Sequence, residues 1–173
     1  MKKLLILYSE VMPYNFVCFK ALIKNFGIEI HLIQWKKNKL TPYEIDEAYG
    51  IFVYKREDMS DLELITLAKK ISPDLIYVSG WMDKGYLKVC KKFKKQNIKI
   101  LCGLDNQWNS TIKQSLIVLI RKLYFSNYFT NCFVPGIKQY EYARRLGFKY
   151  TDIITGAYTA NTNLFSFNQK KKI

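Results

Sequence analysis

Asn131-Cys-Phe-Val-Pro-Gly136, Ile137-Lys-Gln-Tyr-Glu-Tyr-Ala-Arg-Arg-Leu-Gly-Phe148 and Ile153-Ile-Thr-Gly-Ala-Tyr158 follow closely on one another in the last third of this 173-residue chain. The first is a short apolar run closed by Pro-Gly. The second has its apolar residues at helical spacing and ends at Gly147, where a left-handed residue commonly stops a helix. The third is again a short apolar, β-branched run. The reading is strand, helix, strand.

Moving towards the N-terminus, the same alternation recurs. Further strand-like runs are Leu4 to Tyr8, Ile28 to Trp35, Ile51 to Tyr54, Asp74 to Ser79 and Lys99 to Leu104, joining Cys132 to Val134 and Asp152 to Thr155. Most are continuously apolar, as strands covered on both faces must be. Between most of them lie helical stretches. Pro13 to Phe26 has Pro at its first turn and Gly27 just past its end, the usual asymmetry of a helix. Ser60 to Ile71 opens with Ser60 and Glu63, a capping box. Asp83 to Gln96 sets Tyr86, Leu87, Cys90 and Phe93 in one stripe among lysines, and Ser110 to Tyr124 and Ile137 to Leu146 supply two more helices. Strand alternating with helix gives right-handed βαβ units. The expected fold is α/β: a Rossmann-like, doubly wound, mostly parallel sheet of six or seven strands with helices on both faces.

Length allows one domain with a core that needs no disulfide or metal. Cys18, Cys90, Cys102 and Cys132 lie far apart and form no ligand cluster with His31, the single histidine, which is read as a core residue of the second strand. Thiols so spaced fit a reducing, cytoplasmic setting, and no metal is expected. Met1-Lys-Lys-Leu-Leu-Ile-Leu-Tyr8 is broken by Ser9-Glu10 and Pro13 and is read as a buried strand rather than a signal peptide. The net charge of +14 attracts anionic lipid, phosphorylated ligands or nucleic acid, or else is a solvated basic surface.

In a doubly wound sheet, ligands bind outside the carboxyl ends of the strands. After the first strand, Ser9-Glu-Val-Met-Pro-Tyr14 holds neither GxGxxG nor GxxxxGK[ST], so a dinucleotide or P-loop site is excluded there and no cofactor is expected. The fourth strand ends at Ser79-Gly80-Trp81-Met-Asp83. Trp81 either lines a groove or packs on a neighbouring loop, and Asp83 is a helix N-cap. The fifth ends at Asp105-Asn106-Gln107-Trp108-Asn109, a carboxylate, three amides and an indole suited to sugar hydroxyls and a sugar face. Asp105 stands where a general base would, or caps a turn.

The segment from Asn131 through Asn163-Leu-Phe165 resembles the end of the N-terminal domain of a GT-B glycosyltransferase of the family 4 type. There a strand ending in Pro-Gly precedes a helix closing on Leu-Gly-Phe, and a Gly-containing strand leads to a loop ending in Phe. The resemblance implies that residues 1–165 form the acceptor-side domain and that residues 166–173 begin an interdomain linker or basic tail. The sugar nucleotide would be held by a second, C-terminal domain, without which the chain should not turn over. Asp105 is the residue the resemblance suggests for catalysis. Ser9, Glu10, Gly80, Trp81, Asn106, Gln107, Trp108 and Asn109 would bind the acceptor, a glycan or lipid-linked glycan in cell-envelope polysaccharide or lipid glycan assembly. Peripheral contact with the inner face of the membrane is expected, in part through the surplus apolar residues of Lys113 to Tyr124. The alternative is a non-catalytic basic α/β module for nucleic acid or another anionic ligand. Its lysines are scattered and no nucleic-acid motif is present, so nucleic acid is not the expected partner.

Overall fold

A computed structural model of the chain describes residues 1–35 and 50–157, with the side chains of residues 121–123 excepted. The tail, residues 166–173, and Phe165 lie outside the described residues. The apolar runs form seven strands: β1 (Lys3–Tyr8), β2 (Glu29–Gln34), β3 (Ile51–Lys55), β4 (Leu75–Val78), β5 (Lys99–Gly103), β6 (Asn131–Val134) and β7 (Ile153–Thr155). They make one sheet, all neighbours parallel, in the order β3-β2-β1-β4-β5-β6-β7. The chain therefore winds outward from β1 to β3, crosses back, and winds the other way from β4 to β7. The fold is the expected Rossmann-like α/β arrangement, and its direction reverses between β1 and β4.

Among the described residues, five helices lie between strands: α1 (Pro13–Phe26), α2 (Asp61–Ile71), α3 (Lys84–Lys94), α4 (Ile112–Phe125) and α5 (Ile137–Arg145). Short 3-10 turns at Arg56–Asp58 and Tyr150–Asp152 were not expected from the sequence. Their ends follow local chemistry. Ser60 and Glu63 exchange the two bonds of a capping box, Asp83 accepts from the Tyr86 amide at 3.0 Å, and Gly27 takes the left-handed conformation that closes α1.

Alternate residues of β1 split the core in two. Leu5 and Leu7 face α2, α3 and α5 together with Leu64, Val89, Phe93, Ile100, Cys132 and Leu146. Leu4, Ile6 and Tyr8 face α1 with Phe16, Phe19, Ile30 and Leu32. His31 is buried as expected, with Nε2 2.7 Å from Glu29 Oε1, Nδ1 3.1 Å from the Tyr54 hydroxyl, and its ring stacked on Phe52. A doubly bonded imidazole inside the sheet has no nitrogen left for substrate chemistry.

Candidate functional site

The reversal between β1 and β4 leaves their carboxyl ends side by side with that of β5. Ser9, leaving β1, donates its amide to the Ser79 hydroxyl at 2.9 Å, and that hydroxyl lies 3.4 Å from Ser9 Oγ. Gly80 follows with φ +80°, a left-handed conformation that a side chain would strain. A Cβ on Gly80 would stand 3.9 Å from the Gly103 carbonyl oxygen, so the exits of β4 and β5 run close together. Below them, Tyr86 of α3 donates its hydroxyl to the Tyr8 and Ile33 carbonyls, both at 3.1 Å, and so ties α3 to the ends of β1 and β2.

The β5 exit is held by its backbone. Gln139 of α5 donates to the Asp105 carbonyl at 3.2 Å, Gln114 of α4 donates to the Gln107 carbonyl at 2.8 Å, and the Asn109 amide donates back to Gln114 Oε1 at 2.7 Å. Thr111 caps α4 through the Gln114 amide. Ser110, with φ +55°, turns the chain into that helix in a conformation costly for a residue other than glycine. Trp108 is half-buried, its ring 5.7 Å from Tyr142 and beneath the Arg145 guanidinium at 4.5 Å. It anchors the loop on α5 by packing and a cation–π contact. Asp105, Asn106, Gln107 and Asn109 are exposed, and none of the four side chains is hydrogen-bonded by another described residue.

Trp81 is half-buried and meets Phe125 of α4 edge-on at 4.8 Å, so its ring braces the β4 exit against α4. Ser9 and Glu10 are half-buried at the β1 exit. The sites singled out in the sequence are thus brought to one end of the sheet, in the neighbouring exits of β1, β4 and β5. Asp83, by contrast, faces the other way, into an ion network with Arg56.

Sequence reading missed three tyrosines that line the same end. Tyr8 and Tyr77 stack with centroids 5.9 Å apart, and a methyl on Gly103 would collide with the Tyr77 hydroxyl. Burial, then the neighbouring Tyr14, push the Tyr8 phenol above its ordinary range, while hydrogen bonds with Asn15 and Tyr77 act the other way. Burial also raises Tyr14, with the Asp105 carboxylate as the second cause. Asp105 thus lies close enough to α1 to act on its first turn. The tyrosines were hidden because Tyr8 and Tyr77 belong to apolar strand runs, the first at the end of β1 and the second inside β4. Gln114 had a usable signal, since Thr111 and Gln114 stand at the spacing of a capping box. From this end an apolar groove of about 620 Å³ runs along the α1 face of the sheet, between Phe19 and Leu22 on one side and Leu75, Leu101 and Phe133 on the other.

No model of a known protein family matches the chain, and no curated protein matches it. Solved structures do. UDP-GlcNAc 2-epimerase from Neisseria meningitidis, bound to UDP-GlcNAc, superposes with a TM-score of 0.59 at 12% identity, over 98% of this chain and 52% of that one. HepE from Anabaena, in complex with UDP and glucose, gives 0.59 at 7% identity, over 99% and 50%. A piece of sucrose-phosphate synthase from Thermosynechococcus elongatus gives 0.51 at 12% identity, over 96% of each chain. At such identities the likeness establishes the fold. The chain spans about half the length of the epimerase and HepE chains.

Proposed function

We propose that this chain is the acceptor-binding half of a sugar-nucleotide-dependent glycosyltransferase of the GT-B kind, serving cell-envelope polysaccharide or lipid glycan assembly at the cytoplasmic side of the membrane. One observation carries the reading: the β5 exit loop is fixed through its backbone at Asp105, Gln107 and Asn109, while the side chains of Asp105, Asn106, Gln107 and Asn109 stay open to a ligand beside Ser9 and Gly80. A rigid frame with unoccupied amide and carboxylate groups is what recognition of several hydroxyls needs. Two of the structural neighbours carry UDP-GlcNAc or UDP and glucose, and the chain matches about half of each, which supports a second domain for the sugar nucleotide.

In this reading Asp105 takes the proton of the acceptor hydroxyl as its oxygen attacks the anomeric carbon and the nucleotide leaves with the bonding electrons. Ser9, Glu10, Asn106, Gln107 and Asn109 bind the acceptor, Gly80 leaves room for it, and Trp81 and Trp108 hold the walls. The test is transfer from UDP-sugars by the full-length protein that carries this chain. Asp105→Asn is expected to lower kcat by about 10² or more, the usual share of general-base catalysis. Residues 1–173 alone are expected to transfer nothing, because donor and acceptor must be held together. An unchanged kcat in Asp105→Asn would remove Asp105 from the chemistry.

A further inference from the structure

Helix α4 is apolar on two faces. Inward, Ile117, Val118, Tyr124 and Phe125 pack against the larger core. Outward, Ile112, Leu116, Leu119 and Ile120 are 82%, 57%, 77% and 70% exposed. Their spacing of four, seven and eight residues puts them on one stripe. A surface helix that served only the core would carry polar residues there, and a contiguous exposed apolar stripe marks an interaction surface.

The charge around the stripe selects its partner. From Lys84 to Tyr140 the chain has eleven Lys and Arg residues and a single acidic residue, Asp105. Lys113 is exposed beside Ile112 at the head of the stripe. At its foot, Lys94 of α3 binds the Ser126 and Phe129 carbonyls, which sets the last turn of α3, with exposed Lys91 and Lys95, against the end of α4. At about 1.5 Å per residue, the 14-residue helix is about 21 Å long. Among the described residues no helix is long and apolar enough to cross a membrane. Apolar residues on one exposed side, bordered by one sign of charge on a helix too short to span, are the features of a helix that lies in a bilayer interface.

We propose that the Ile112-Leu116-Leu119-Ile120 stripe of α4 docks on an anionic bilayer surface, with Lys113 and the end of α3 reaching lipid head groups. The β5 exit loop runs straight into α4, so docking would hold the candidate acceptor site at the membrane. The surface is defined without reference to sugar transfer, and its test uses no substrate.

Residues 1–173 are to be co-sedimented with vesicles of phosphatidylglycerol and phosphatidylcholine, and with phosphatidylcholine alone, at low and high salt. Binding is expected on the anionic vesicles, weakened by salt and absent on the neutral ones. Leu119→Ser with Ile120→Ser should lower the partition coefficient at least tenfold, and Lys113→Glu about fivefold or more. Circular dichroism should show both variants folded, since all three side chains face solvent. The proposal is overturned if the wild-type chain ignores anionic vesicles at low salt, or if the stripe variant binds them as well as wild type. It is equally overturned if the stripe variant instead abolishes a concentration-dependent dimer while vesicle binding persists, which would make a second copy the partner.

Discussion

Two groups of strand exits at the same end of the sheet treat their polar residues in opposite ways. After β3, Arg56 reaches Asp61 at 2.6 Å, Asp83 at 3.1 Å and the Met59 carbonyl at 2.6 Å. The Trp35 indole donates to Asp83 at 2.9 Å, and Lys88 pairs with Asp61 at 2.8 Å. Charge is matched to charge, and Arg56 and Asp83 are largely screened from water. Across the reversal, at β5, a comparable set of polar side chains is left without such partners. A saturated network stabilises one geometry; an unsaturated one on a braced loop is available to something else. Polar density alone does not separate the two, whereas hydrogen-bond saturation does.

The comparison can be broken most forcefully at Arg56. Arg56→Ala leaves the Asp83 carboxylate without its cation and is expected to cost about 3 kcal/mol in chemical denaturation, in the range for breaking a partly buried pair. The sign with pH follows from Asp61, whose carboxyl is held below its ordinary range first by the bond from Lys88 and then by that from Arg56. A lowered carboxylate contributes stability above its unfolded pKa and loses it as pH falls through the folded one. The gap between wild type and Arg56→Ala should therefore narrow below about pH 4. A gap that stays constant into acid would show that lost packing, rather than lost charge, carries the effect.

A smaller effect is expected at Gly85, in the first turn of α3. A methyl there would collide with the Arg56 guanidinium and the Asp61 carboxylate. Alanine is favoured over glycine in a helix by about 1 kcal/mol, yet Gly85→Ala should destabilise by roughly 1–2 kcal/mol because the network must open. Thermal denaturation of this variant decides the sign. The smallest effect belongs to the other exit: Asp105→Asn should change stability by no more than about 0.5 kcal/mol, as for exposed residues outside any network. A larger loss would mean that the β5 loop is as saturated as its counterpart.

The outline of the fold was legible because local and global signals agree. A run such as Leu4 to Tyr8 can be apolar throughout only if both faces are covered, and Ser60 with Glu63 marks where α2 begins. Strand order was not legible, because it depends on the crossover after β3 and no single segment encodes a crossover. The candidate site was legible as far as strand exits are polar, which singled out Ser9, Gly80 and the Asp105–Asn109 loop, residues that the fold brings to neighbouring exits. Tyr8 and Tyr77 were invisible because a tyrosine at the end of an apolar run, as Tyr8 is in β1, or inside one, as Tyr77 is in β4, reads as core, and only the pairing of β1 with β4 brings their rings together. The Arg56 network was equally hidden, because Trp35, Arg56, Asp61, Asp83 and Lys88 come from separate segments. Of these, only the capping role of Asp83 had a local signature.

The distribution of the four cysteines has a practical consequence. Cys90, Cys102 and Cys132 are fully enclosed, the last two as register partners on β5 and β6, whereas Cys18 sits half-buried on α1. Enclosure pushes the Cys132 thiol up to about 12 and those of Cys90 and Cys102 upward as well, which withholds the reactive thiolate from any reagent near neutral pH. An alkylating label should therefore mark α1 promptly and the three inner sulfurs only when the larger core opens. The native chain carries its own clock for that opening, readable by mass spectrometry without a single substitution.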